Sequence, residues 1–254
     1  MNSFIIDNNN FIHWQETPWD EKVFSVTTAE LTSLRFDSER NANTLIREFE
    51  LKSKVNLAYG RFEASNMLIK SALMKNGYLP SETSLEVFLS QLDKYNLPDI
   101  YKKKLMPITA IVANDYKDIS IIAKDMFYFS RFHEDPFIDT ELSNKRMSYW
   151  VDDLFLQNVS GFIYRNKAGQ LVSFMLFRLN DNNVAELILG GSAKGFGVYS
   201  PFFWGSVIDA LKFKGVKKIT SVISAANSGV LALYLNLNFN ISKTKIDYHK
   251  HKVN

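Results

Sequence analysis

Lys194-Gly195-Phe196-Gly197-Val198-Tyr199-Ser200-Pro201 is the stretch on which the reading of this chain turns. An apolar run from Val184 to Leu189 precedes it and reads as a strand. Pro201 to Lys214 follows and reads as a helix. Ser200 suits the cap position and Pro201 the first helical position. Glycines let the backbone turn so that several N–H groups aim at one spot, and the positive helix end adds to the field. The stretch is an anion or phosphate site or, equally, a plain turn needing Gly before a helix. It is not a P-loop, because no Gly-Lys-Ser/Thr follows four residues after a first Gly. It is not a dinucleotide fingerprint, because it comes late, after strands that read as an antiparallel meander.

Working outward, Lys218 to Ile223 reads as a strand, Ser228 to Leu237 as a helix and Asn240 to His249 as a last strand. Asn227 and Tyr234 are seven residues apart, about two helical turns, so they share a face. Tyr234 also reads as a core aromatic beside Leu231, Leu235 and Leu237. Upstream, Ser160 to Tyr164, Val172 to Leu179 and Val184 to Leu189 are joined by Asn166-Lys167-Ala168-Gly169 and Asn180-Asp181-Asn182-Asn183, both turn sequences. A strand at Ile108 to Ala113 and helices at Tyr116 to Phe129 and Glu141 to Leu156 come before them. A polar loop, Arg131 to Pro136, lies between those helices.

Between Leu92 and Met106 the periodicity breaks. Pro98, Pro107 and the run Lys102-Lys103-Lys104 place a domain boundary near residue 105. Residues 1–105 read as a smaller α/β lobe. It has a helix over Ser38 to Lys54, a strand over Val55 to Phe62, a helix over Ser65 to Lys75 ended by Asn76-Gly77, and a strand over Tyr78 to Leu89. The opening segment, with Trp14, Trp19, Asp20 and Phe24, is expected in loops and a short strand. Both halves run strand, helix, aromatic-containing turn, strand, which suggests a degenerate duplication.

Composition narrows the function. The 254 residues carry 30 Lys+Arg against 27 Asp+Glu, too even a balance for nucleic-acid binding by bulk charge. Cysteine is absent, which excludes disulfides, thiolate zinc sites and Cys nucleophiles. The 20 Phe, 11 Tyr and 4 Trp predict an aromatic-rich core. With no signal-like start and no window near the ~20 apolar residues of a spanning helix, a cytoplasmic protein without membrane partners is expected. His249 and His251 share a strand face. A His pair without a carboxylate partner reads as surface, and no metal is expected.

The order of strand, glycine loop, helix, strand, Asn227, helix with Tyr234, then Asn238-Phe239 and a final strand resembles the GNAT acyl-CoA acyltransferase superfamily, over about residues 108–250. The family's loop pattern is Gln/Arg-x-x-Gly-x-Gly/Ala. In one register Lys194 stands at the basic position, Gly197 at the Gly, and Tyr199 where a small residue is usual. In another, Ser192 is first and Gly197 last. Asn238-Phe239 replaces the usual Gly-Phe. More narrowly, Trp19-Asp20 with Phe24, Ser130-Arg131-Phe132-His133-Glu134-Asp135-Pro136 and Tyr149-Trp150-Val151 look like the dTDP-fucosamine acetyltransferase group, two-lobed proteins of nucleotide-sugar pathways.

The resemblance implies a mixed, mostly antiparallel twisted sheet flanked by helices, with a truncated N-terminal lobe. It implies acetyl-CoA as cosubstrate, its pantetheine pairing with the strand edge at Leu187, Ile188 and Leu189. The pyrophosphate would lie on N–H groups of Lys194, Gly195, Phe196, Gly197, Val198 and Tyr199, and Asn227 would hold the pantetheine arm. Tyr234 would protonate the leaving thiolate; an ordinary phenol, with a pKa of about 10, is protonated at neutral pH. Glu186 would accept the amine proton through water, or is a solvent-facing carboxylate. Arg131, His133 and Asp135 would contact the acceptor, a primary amine on a nucleotide-linked sugar, or form plain loop contacts. The alternatives are another small amine or a protein N-terminus as acceptor, and a catalytically silent GNAT-fold acyl-CoA-binding protein. A homodimer is allowed for.

Overall fold

The computed structural model describes residues 1–252. The first half of the chain runs β1 (Asn2–Asp7), β2 (Asn10–Glu16), α1 (Pro18–Phe24), β3 (Thr28–Arg35), α2 (Glu39–Ser53), β4 (Leu57–Glu63), α3 (Met67–Lys75) and β5 (Leu79–Ser90). The second runs α4 (Asp99–Lys102), β6 (Thr109–Ala110), α5 (Tyr116–Met126), α6 (Thr140–Leu156), β7 (Ser160–Arg165), β8 (Leu171–Leu179), β9 (Val184–Ser192), α7 (Ser200–Phe213), β10 (Lys218–Ser224), α8 (Ser228–Asn236) and β11 (Asn240–His251).

Two compact units result, and neither is a continuous stretch. One holds Met1–Ser84, Ser130–Ser143 and the chain from Thr244; the other holds Leu85–Phe129 and Asn144–Lys243. The last strand of each half divides between them. In the first unit, β11 lies beside β4, antiparallel, with Lys245 opposite Glu63 and His251 opposite Leu57. In the second, β5 is the neighbour of β10. A strand satisfies its backbone groups against any open edge of matching register, whichever half supplies it. The position near residue 105 falls inside the Leu85–Phe129 segment of the second unit.

In the first unit α2 and α3 cover the sheet. Ser38 caps α2 by accepting from the Asn41 N–H, and Ala42, Leu45, Ile46 and Phe49 form its buried stripe. They meet Ile12, Trp14, Leu31, Leu73, Tyr78 and Tyr248. In the second unit β8 is buried from Leu171 through Phe177, as a central strand covered on both faces must be. One face carries Phe162, Met175, Phe177, Ala185 and Leu187 against α7 and α8. The other carries Ile163, Phe174, Leu176 and Leu189 against α5 and α6. Phe49, Phe174, Phe203, Tyr78 and Tyr248 are among the largest fully buried side chains, so aromatic burial does carry the core.

The suspected duplication appears at residue spacing. In the second half, parallel β9 and β10 pair from Val184–Lys218 to Leu187–Ser221 and then stop. The β8–β9 register skips at that point, leaving Ile188 as a bulge. In the first half, parallel β3 and β4 pair from Thr28–Leu57 to Leu31–Gly60 and stop. The β2–β3 register skips there too, leaving Thr32 as the bulge. Six residues after the last pair, Asn66 and Asn227 each cap a helix through Oδ1 at 3.1 Å. Seven further on stand Leu73 and Tyr234, and five beyond those Tyr78 and Phe239, whose N–H groups bond back to the Leu73 and Tyr234 carbonyls.

The opening segment differs from expectation. Trp14 lies on β2, and Trp19, Asp20 and Phe24 lie on α1, ahead of a full strand β3. α1 has seven residues, too few to show a helical period, and β1 is almost wholly exposed, so it shows no alternation. Conversely, the strand expected over Ile108 to Ala113 shrinks to Thr109–Ala110, because a 3₁₀ turn starts at Ala113.

Gly60 marks where the first parallel pair parts. A Cβ there would lie 2.8 Å from the Leu31 Cβ and 2.9 Å from the Leu31 carbonyl oxygen. Gly60→Ala is expected to cost about 1–3 kcal/mol, read as a lower urea midpoint at unchanged m-value. Gly197→Ala, where a Cβ meets nothing within 4 Å, is expected to leave the midpoint unmoved.

Candidate active site

The parted pair in the second unit makes the candidate site. Beyond Leu187 the β10-facing edge of β9 has no strand partner among the described residues, while the opposite edge stays paired with β8 through Ser192. Free N–H and C=O groups on such an edge accept an extended ligand as an added strand. Leu187 and Leu189 are buried, and bulged Ile188 is half-buried between them. Gly190 lets α7 approach: a Cβ there would lie 2.5 Å from the Met175 Cε and 3.0 Å from Trp204.

The glycine loop follows directly. Gly195 takes φ +83°, a left-handed conformation that favours glycine, and a 3₁₀ turn begins at Gly197. The N–H groups of Phe196 and Tyr199 bond within the loop, to the carbonyls of Ala193 and Phe196. Those of Lys194, Gly195, Gly197 and Val198 have no carbonyl partner among the described residues. Lys194, Gly195, Gly197, Val198 and Tyr199 are exposed, and Phe196 is half-buried. Ser200 does not cap α7 as expected. It is the helix's first residue, and its Oγ bonds to the Ser192 Oγ at 2.8 Å, which in turn bonds to the Ser173 Oγ at 2.7 Å. This chain of hydroxyls ties the loop's end to β8 and β9.

Tyr234 reaches the apex of the parted pair. Its hydroxyl donates to the Ser221 Oγ at 3.3 Å, and that Oγ donates to the Leu187 carbonyl at 3.0 Å. The ring packs edge-on against Phe239 at 4.8 Å, and the residue is buried. Burial pushes the phenol's pKa up, so it stays protonated at neutral pH. The two sequence readings of Tyr234 are therefore compatible: a core aromatic whose hydroxyl lies at the apex. Asn227 spends Oδ1 on capping α8, so Nδ2 is the part that can face a ligand. Glu186 is exposed, and strand alternation puts it on the face opposite Leu187 and Tyr234, the face on which α5 and α6 pack.

Arg131, His133 and Asp135 fall in the first unit. The Arg131 guanidinium, expected to meet a phosphate, is engaged by Glu30 at 2.9 Å and Asp247 at 3.2 Å and lies over the Tyr59 ring. His133 Nδ1 bonds to the Ser130 Oγ at 2.7 Å, a local loop contact. Asp135 is buried and bonds through Oδ2 to His249 Nδ1 at 2.6 Å and His251 Nε2 at 2.7 Å. These bonds hold its pKa well below the usual carboxylate range against the opposing effect of burial. The surface reading of the His pair is thus corrected. His249 is buried, His251 is half-buried, and their carboxylate partner lies 114 and 116 residues away in the chain, where spacing cannot reveal it.

Beside Gly60 lies a partly buried charge group with no signature in the sequence. Arg61 bonds to Glu82 at 2.7 Å and to Asp247 at 2.6 Å, and Asp247 also meets Arg131, which holds Glu30. Two guanidiniums face three carboxylates. Burial, opposed by Arg61 and helped by Asp247, pushes the Glu82 carboxyl up to about 7.

No protein-family model and no curated protein matches the chain. Solved structures do. It is similar to a GCN5-related N-acetyltransferase from Sphaerobacter thermophilus, with TM-score 0.66 and 11% identity, over 95% of this chain and 76% of that one. A tandem GNAT protein from the clavulanic acid biosynthesis pathway gives TM-score 0.55 and 9% identity, over 89% and 77%. A GCN5-related glucosamine N-acetyltransferase region in a fungal multi-domain beta-N-acetylglucosaminidase gives 0.64 and 11%, over 94% and 31%. The fold is the GNAT fold, a mixed sheet flanked by helices. Among the described residues no helix is long and apolar enough to cross a membrane.

Glu82 supplies a pH test of the charge group. A carboxyl raised from 4.5 to about 7 on folding binds its proton more tightly in the native state. Its stabilisation is full below pH 4.5 and lost as pH rises through 7. Urea midpoints of the wild type should fall across that window, and Glu82→Gln, which still accepts from Arg61, should flatten the fall.

Proposed function

We propose that this chain transfers an acetyl group from acetyl-CoA to a primary amine. The observation that carries the reading is the parallel pair that parts at Leu187–Ser221, with a bulge at Ile188, a glycine loop at the end of the freed edge and the Tyr234 hydroxyl at the apex. Pantetheine amides pair with the edge from Leu187 to Leu189, and Asn227 Nδ2 meets the arm. The pyrophosphate takes the N–H groups of Lys194, Gly195, Gly197 and Val198. The loop's conformation supports the register that opens on Ser192, with glycines at 195 and 197.

In the reaction the amine nitrogen attacks the thioester carbonyl carbon, and the carbon–sulfur bond breaks. Glu186, reached through water, takes the ammonium proton. The departing thiolate takes the Tyr234 proton, which solvent replaces. In this reading Glu186 and Tyr234 act on the thioester from the two faces of the strand. Much of the rate comes from positioning two reactants along a preformed edge.

The acceptor to test first is an amino sugar, nucleotide-linked, in the manner of the dTDP-fucosamine group. The fungal glucosamine N-acetyltransferase region of like fold supports the sugar part of this choice. With Arg131 held by Glu30 and Asp247, the nucleotide part rests on the sequence resemblance. The burial of Tyr234 favours a second reading, an acyl-CoA-binding protein without turnover.

Thiol release from acetyl-CoA against a panel of nucleotide amino sugars, free amino sugars and polyamines separates the readings. Acetyl-CoA binding without thiol release selects the second, and no calorimetric binding at millimolar concentration removes both. Gly197→Val is expected to abolish acetyl-CoA binding while keeping the thermal midpoint, because a branched side chain fills the cradle. Tyr234→Phe is expected to lower kcat by about 10²-fold with acetyl-CoA affinity little changed, read by steady-state kinetics and calorimetry.

A further inference from the structure

We propose that Asp135, His249 and His251, within the first unit, form a site for one divalent transition-metal ion, zinc above all. The two histidines stand two residues apart on β11, so their imidazoles leave the same face of the strand. Asp135 enters from the 130–143 segment and sets Oδ2 between them, 2.6 Å from His249 Nδ1 and 2.7 Å from His251 Nε2. Its other oxygen, Oδ1, is fixed by the Phe137 N–H at 2.9 Å. One ligand atom from each of the three residues falls within 4.8 Å of the others.

One further observation points to an ion. Asp135 carries a buried negative charge, and its ion-pair partners among the described residues are these two imidazoles, neither Lys nor Arg. The neighbouring guanidiniums of Arg61 and Arg131 are taken by Glu82, Asp247 and Glu30. A divalent cation supplies the missing charge.

Ligand chemistry selects the ion. Two imidazoles and a carboxylate suit zinc, with cobalt(II) as its spectroscopic substitute, whereas magnesium and calcium ask for oxygen ligands. Zinc bonds of about 2.0–2.2 Å in tetrahedral geometry set ligand atoms about 3.3 Å apart. Each N···O pair must therefore open by roughly 0.6 Å, a small rotation of a carboxylate carried on a loop. Each imidazole stays neutral by keeping its proton on the nitrogen that does not bind. His251 is 28% exposed, so ions enter on its side, where water or an added ligand takes the fourth position. The bound ion would clamp the 130–143 segment to β11.

The full chain, stripped with a chelator, is titrated with zinc chloride by calorimetry and with cobalt chloride by visible spectroscopy. One ion per chain and tetrahedral cobalt bands are expected. The chain has four histidines, and long-range proton–nitrogen spectra of their rings should show zinc shifting only two, His249 and His251. His251→Gln, at the half-exposed position, should weaken zinc binding by more than about tenfold, and His13→Gln should leave it unchanged. No zinc binding at millimolar concentration overturns the proposal. So do shifts confined to His13 or His133, or wild-type zinc affinity in His251→Gln. Should that variant fail to fold, the ring spectra of the wild type decide alone. Acetyl-CoA binding is measured on the same preparation, so a failed metal site leaves the acyl-transfer reading untouched.

Discussion

A strand whose neighbour turns away must find other partners for its N–H and C=O groups, or keep them for a ligand. That constraint acts at Leu187–Ser221, where β10 stops following β9. The bulge at Ile188 shifts the side-chain alternation, so Leu187 packs with α7 and α8 while Leu189 packs with α5 and α6. Both core faces are thus served by one strand with an open edge. The Ser173–Ser192–Ser200 hydroxyl chain secures the far end of that edge, and Ser221 with Tyr234 secures the apex.

The first half of the chain meets the same constraint at Leu31–Gly60 with different chemistry. Gly60 stands where the second half has Ser221, and Leu73 where it has Tyr234, so the hydroxyl pair is missing. Charged groups occupy the surroundings instead, Arg61 with Glu82 and Asp247, and Glu30 with Arg131. No glycine loop leads into α2, which begins on a Ser38 cap. One half keeps an unpaired strand edge that ends on a glycine loop; the other has filled its surroundings with ion pairs.

The segment Ser130–Ser143 carries much of that filling. Arg131 enters the charge group, Phe132 packs with Phe24, Tyr59 and His249, and Asp135 holds the two β11 histidines. Arg131 and Asp135, which suggest acceptor binding in a linear reading, are here committed to partners far away in sequence. Polar side chains taken out of water need such partners, and the cost of leaving them single explains why Arg131 and Asp135 are both engaged.

The sequence by itself determined the order of elements from Tyr116 onward, the glycine loop, the Asn227–Tyr234 spacing and the hint of duplication. These are local properties: periodicity, caps and turn residues act within a few positions of each other, so a linear reading captures them. Only the tertiary structure decided that β5 and β11 divide between the two units, that Ile188 bulges, that the Tyr234 hydroxyl bonds to Ser221, and that Arg131 and Asp135 are engaged. Strand pairing and buried ion pairs join residues far apart in the chain, as with Arg61 and Asp247, 186 positions apart. Backbone edges carry no side-chain signature of their partner, and a carboxylate looks the same in sequence whether solvent or a guanidinium will face it.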